Sequence, residues 1–147
     1  MKNIYQLFII IVAFHVISCK KNIEGVGIDG KTTITANGIA FTPEGQYNTL
    51  NLYGSSTIQF NISANTGETP LECYFSIEDP WKSGTERTII KTNPAPIMIW
   101  NRSRKIMQLQ YVLNVDILSS GRDYIGHIVI NGDNIGLHQQ TDYTVRR

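Results

Sequence analysis

The 147 residues carry 13 Lys plus Arg against 12 Asp plus Glu, a net charge of +1, which gives no sign of a nucleic-acid binder. Two cysteines are too few for a disulfide-built scaffold. Ile, Asn, Thr and Tyr are plentiful and Ala is scarce, a balance that favours strand and turn over helix.

Met1-Lys2-Asn3 leads into an apolar run from Leu7 to Ile17. That run has the length of a signal-peptide core and falls short of the roughly 20 residues that a membrane span needs. It ends in Val16-Ile17-Ser18-Cys19: an aliphatic residue, a variable one, a small one and a cysteine. The stretch resembles the lipobox of bacterial lipoproteins position by position. The resemblance implies a signal peptide over 1–18, cleavage before Cys19, and a lipid-modified Cys19 carrying diacylglyceryl and palmitate-type acyl chains. Two or more chains anchor a protein stably where one does not. An ordinary cleaved leader prefers small residues at −3 and −1, and no Ala-x-Ala occurs here. Residues 19–30, with Gly25, Gly27 and Gly30, read as a short lipidated tether. In lipoproteins of this kind acidic residues next to the cysteine direct retention or surface export. Lys20-Lys21-Asn22 stands there instead, which implies the outer membrane, facing the periplasm.

The remainder, 31–147, is one domain's length and alternates with period two. Strands are expected at Thr32–Thr35, Thr49–Tyr53 and Thr57–Ala64, the last with Ile58, Phe60, Ile62 and Ala64 on one face. After the turn Asn65-Thr66-Gly67-Glu68, Leu71–Ile77 is expected to pair antiparallel with Thr57–Ala64. Asp79 to Gly84 reads as a loop, and Glu86–Lys91 and Ile97–Trp100 as short strands separated by a proline-bearing break. Ile106–Leu118 leaves no polar face as a helix. As a strand it puts Met107, Leu109, Tyr111, Leu113, Val115 and Ile117 on one side. Ser119 to Asp123 turns the chain and Tyr124–Ile130 returns, apolar on both faces and so central in its sheet. Asn131-Gly132-Asp133-Asn134 is the strongest tight-turn signal, His138 reads as a loop residue, and Thr141–Arg147 closes the chain. Eight or nine strands without a convincing helix predict an all-β fold. The expected form is a two-layer antiparallel β-sandwich, immunoglobulin-like or transthyretin-like.

Groups for chemistry are thin. Cys73 shares a face with Leu71, Phe75 and Ile77 and reads as a buried free thiol. His127 reads as a core or sheet-face residue, and its spacing from His138 fits no zinc pattern. No nucleophile elbow, phosphate loop or dinucleotide fingerprint occurs, so no catalytic residue, cofactor or metal is expected. Two stretches are candidates for binding. Trp81 and Lys82 lie in a polar loop where the indole either meets a partner or folds back to cap the core. Trp100, Arg102 and Arg104 mark a basic loop that either contacts acidic protein, lipopolysaccharide or lipid headgroups or is simply a solvated loop opening the long strand.

The expected function is that of a membrane-anchored, non-catalytic lipoprotein that binds another envelope protein. It fits an accessory subunit of an envelope-spanning secretion or conjugation machine, a likeness of architecture. The alternatives are a carbohydrate-binding or adhesive surface lipoprotein and an inhibitor or immunity protein.

Overall fold

The computed structural model describes residues 32–42 and 48–147. The expected signal peptide (1–18), Cys19 and the tether (19–30) lie outside them. The described residues form ten strands: β1 Thr33–Ala36, β2 Ile39–Phe41, β3 Asn48–Asn51, β4 Thr57–Ala64, β5 Glu72–Glu78, β6 Thr88–Lys91, β7 Ile99–Asn101, β8 Ile106–Asn114, β9 Asp123–Gly132 and β10 Leu137–Arg146. Two five-stranded sheets face each other, ordered β2-β1-β4-β8-β7 and β3-β10-β9-β5-β6. Among the described residues there is no α-helix, only two 3-10 turns at Gly84–Glu86 and Asp133–Ile135.

The core follows from alternation. β4 buries Ile58, Phe60, Ile62 and Ala64, and β5 buries Cys73, Phe75 and Ile77. Phe60 and Phe75 meet across the sandwich with ring centroids 4.7 Å apart, and Tyr111 stacks on Phe75 at 4.9 Å. Each such buried side chain contributes about 1.5–3 kcal/mol by leaving water. Gly126 of β9 lies opposite Tyr143 of β10, whose ring crosses it; a Cβ there would sit 2.1 Å from Tyr143 Cζ. β9 is the central strand of its sheet, as its two apolar faces predict.

Several connections differ from the sequence reading. β4 does not pair with β5: it lies between β1 and β8, while β5 lies between β9 and β6 in the opposite sheet. Residues 65–71 therefore cross between layers. Residues 115–122 do the same, so β8 and β9 form no hairpin. The sandwich is not wholly antiparallel, because β3 runs parallel to β10 from Asn48↔Tyr143 to Asn51↔Arg146. β8 ends at Asn114, and the break in parity buries Leu118 and leaves Ile117 68% exposed.

The tenth, unforeseen strand is β2, closed onto β1 through Asn37 (φ 49°) and Gly38 (φ 80°), two left-handed residues in a tight turn. The Asn131-Gly132 pair turns nothing. Gly132 is in β9, where a Cβ would meet Leu71 Cδ2 at 2.6 Å, and the reversal follows at 133–136 with Gly136 left-handed at φ 65°. His138 consequently stands in β10, opposite Asn131.

The topology gives the sandwich two ends. Thr32 enters beside Gln139, its hydroxyl donating to Gln139 Oε1 at 3.1 Å. Loops 65–70, 102–105 and 133–136 share this entry end. At the far end lie loops 52–56, 79–87 and 115–122, stitched together by Val115 N–H on Ser56 O (2.8 Å), Gly121 N–H on Arg147 O (2.7 Å) and Arg122 Nη1 near Asp79 Oδ2 (3.6 Å). The eight residues of β4 separate the two ends by roughly 25 Å.

Candidate functional site

The two stretches that the sequence marks for binding lie at opposite ends. Trp81 and Lys82 belong to the far end, where Trp81 is 82% exposed and does not cap the core. Arg102 and Arg104 are exposed at the entry end, while Trp100 of β7 is half-buried and packs against the core.

The Trp81 loop hangs from one buried carboxylate. Asp79, 2% exposed, accepts from Trp81 N–H through Oδ1 (3.0 Å). Its own N–H donates to Arg87 O (2.8 Å), and its carbonyl accepts from Lys82 N–H (3.2 Å). This Asx-type turn directs the indole away from the core, and the Arg122 contact couples it to the neighbouring loop. The sequence marks 79–84 only as a loop; an Asp before Pro is the signal that an Asx turn begins there.

Two further exposed side chains at this end went unmarked in the sequence. Tyr53 is 92% exposed, and with Gly54 it fills the left-handed positions of a turn closed by Ser55 N–H on Leu52 O (2.9 Å). A bulky residue at φ 49° is uncommon, since glycine or asparagine adopts that conformation at lower cost. Ile117 is the other. Tyr53, Trp81 and Ile117 thus crown three loops of one end.

A second feature occupies the outer face of the first sheet. A groove of about 720 Å³ runs over β1, β4, β8 and β7 near the entry end. Hydroxyls and amides line it, Thr33, Thr35, Asn61, Ser63, Gln108 and Gln110 among them, with Arg104 at its margin. These are outward positions of paired strands: Thr33 faces Ser63, Ser63 faces Gln108, and Asn61 faces Gln110.

The outer face of the second sheet carries a charged row. Ser76, His127 and Asp142 stand side by side on β5, β9 and β10. His127 Nδ1 lies 2.7 Å from Asp142 Oδ1, and Nε2 is 3.7 Å from Glu78 Oε2, which itself accepts from Arg87 Nε at 2.6 Å. The hydrogen bond from Arg87 holds the Glu78 carboxyl below its usual range. Partial desolvation raises Asp142, but hydrogen bonds from His127 and Gln140 outweigh it and leave a lowered value. The row has the residue types of a hydrolytic triad without its geometry. Among the described residues no hydrogen bond joins Ser76 to His127, the link that a nucleophile and its base would need. Burial pushes the Cys73 thiol up to about 12. Among the described residues, no cluster of three His, Cys, Asp or Glu is placed to hold a metal ion. Compared with known proteins, the chain matches no family model and no curated relative.

Proposed function

We propose that this chain is a lipid-anchored, non-catalytic interaction module of the bacterial envelope, held through Cys19 in the outer membrane and facing the periplasm. It contacts another envelope protein through the loops of its far end, as an accessory subunit of a secretion or conjugation machine would. The observation that carries this reading is the placement of Tyr53, Trp81 and Ile117. Three large apolar side chains remain in water on three loops of the end opposite the chain's entry. Aromatic anchors of this kind dominate protein interfaces. Tyr53 adds weight, since a bulky residue in the left-handed region packs nothing in the core. A domain tethered at its entry end presents this crown away from the bilayer.

Within the sandwich class the immunoglobulin-like topology is the one we infer. The orders β1-β4-β8-β7 and β3-β10-β9-β5-β6 correspond to the A-B-E-D and A′-G-F-C-C′ sheets of that fold, including the parallel first pairing. Tyr124 opens β9, the F position, and its hydroxyl accepts from Ser119 N–H at 2.9 Å, as the tyrosine corner of such domains does.

Site-directed photocrosslinking in intact cells tests the function. A photoreactive residue at 53, 81 or 117 should trap one discrete protein species, and the exposed position 138 at the other end should not. Equal labelling from all four positions, or none from the crown, would overturn the reading.

A further inference from the structure

We infer that the groove on the outer face of the first sheet is a binding site for an acidic oligosaccharide, a chain of sugars bearing carboxylates. Amides and hydroxyls converge on the outward positions of β1, β4 and β8. Asn61 and Gln110 face one another across β4 and β8, and their amides are free of hydrogen bonds to other described residues. Each amide offers two donors and an acceptor, and the hydroxyls around them both donate and accept. A surface where such donors and acceptors alternate with the apolar Ile62, Ile99, Trp100 and Leu109 matches a polyhydroxylated ligand, which has hydroxyl edges and C–H faces.

The ordered parts of the groove add preorganisation. Thr33 and Ser63 hydroxyls are 2.5 Å apart, and Asn101 Nδ2 donates to Gln108 Oε1 at 2.8 Å. Asn101 Oδ1 accepts from Arg104 N–H at 3.0 Å, which fixes the backbone of Arg104 at the margin. Ile99, 74% exposed, stands opposite Gln108 on the edge strand β7 and offers an apolar surface to the C–H face of a sugar ring. A groove of about 720 Å³ is within the range of small-ligand sites.

Charge selects the class of sugar. Among the described residues no Asp or Glu lines the groove and Arg104 forms no ion pair. An unneutralised guanidinium beside amides and hydroxyls favours a carboxylate, which it can grip with two parallel hydrogen bonds. A peptide strand would find its backbone partners along the open edge of β7 rather than on the sheet face.

The test uses the folded chain with Cys19→Ser and a panel of oligogalacturonate, oligomannuronate and hyaluronan tetrasaccharides, against neutral maltotetraose and cellotetraose. Titration is followed by calorimetry and by backbone amide NMR shifts. Saturable binding of at least one uronate is expected, with Kd at or below about 1 mM, weakening as salt rises. Shifts should cluster on β4, β7 and β8. Arg104→Gln and Gln110→Ala, both at exposed positions, should each weaken binding about tenfold while leaving the melting temperature unchanged. Trp81→Ala should not alter it. Absence of saturable binding by every uronate, equal binding of the neutral sugars, or indifference to Arg104→Gln would overturn the inference. So would shifts that map to the far-end crown.

Discussion

At the scale of single residues, burial decides what each group can do. Cys73 is fully buried and its thiol is pushed up to about 12, so almost none of it is thiolate at neutral pH. In a Cys19→Ser chain a thiol reagent should leave Cys73 unmodified in the native protein and label it fully in denaturant. Rapid native labelling would show that the core opens far more readily than this packing allows. Gly126 makes the opposite point, since it is small because Tyr143 lies on it. Gly126→Ala should cost about 1–3 kcal/mol by overpacking, read as a lower denaturant midpoint with unchanged slope.

Among the elements, the β5–β6 connection joins stability to presentation. Arg87→Gln removes the hydrogen bond that depresses Glu78. A depressed carboxyl contributes stability above its unfolded pKa of about 4, and that stability is lost as pH falls through the folded value. The variant should therefore be less stable at pH 7, by under about 1 kcal/mol because Arg87 is half exposed. The gap should close as pH falls through the lowered folded value of Glu78. A gap that persisted in acid would assign Arg87 a packing role. In the same connection Asp79→Ala strips a buried acceptor from the Trp81 turn, and unfolding should come earlier by about 1–3 kcal/mol. Trp81→Ala should stay within about 0.5 kcal/mol of the parent.

Much of this was legible in the amino acids and some could not be. β4 falls at its predicted residues and with its predicted face, because one side of a half-buried strand must be apolar throughout. Turn residues show that a chain reverses but not into which layer, so from sequence the crossings at 65–71 and 115–122 look like hairpins. Of two Asn-Gly pairs, only 37–38 is a turn. The other is a strand position whose glycine answers to Leu71, a contact remote in sequence. Trp81 was visible as a candidate, since an indole among polar residues is unusual, yet its exposure depends on Asp79 being buried. Tyr53 ended an alternating run and gave no sign of standing in water. The groove's amides were each visible as outward strand positions. Their convergence with Arg104 waited on the pairing of β1, β4, β8 and β7.

For the whole molecule, the position of β10 has a consequence for how the protein is made. This strand, last of the ten in chain order, is the second in its sheet, inserted between β3 and β9, and among the described residues β3 bonds to no other strand. Some ninety residues separate β3 from its partner, a distant closure of the kind that slows folding. A chain cut after Gly136 loses β10, orphans β3 and removes Tyr143 and Val145 from the core; it should show no cooperative melting transition, and a sharp one would contradict this topology. Because β10 follows the other nine strands in the chain and lies inside its sheet, a nascent chain that has not yet released residues 137–146 holds β3 and β9 without the strand that joins them.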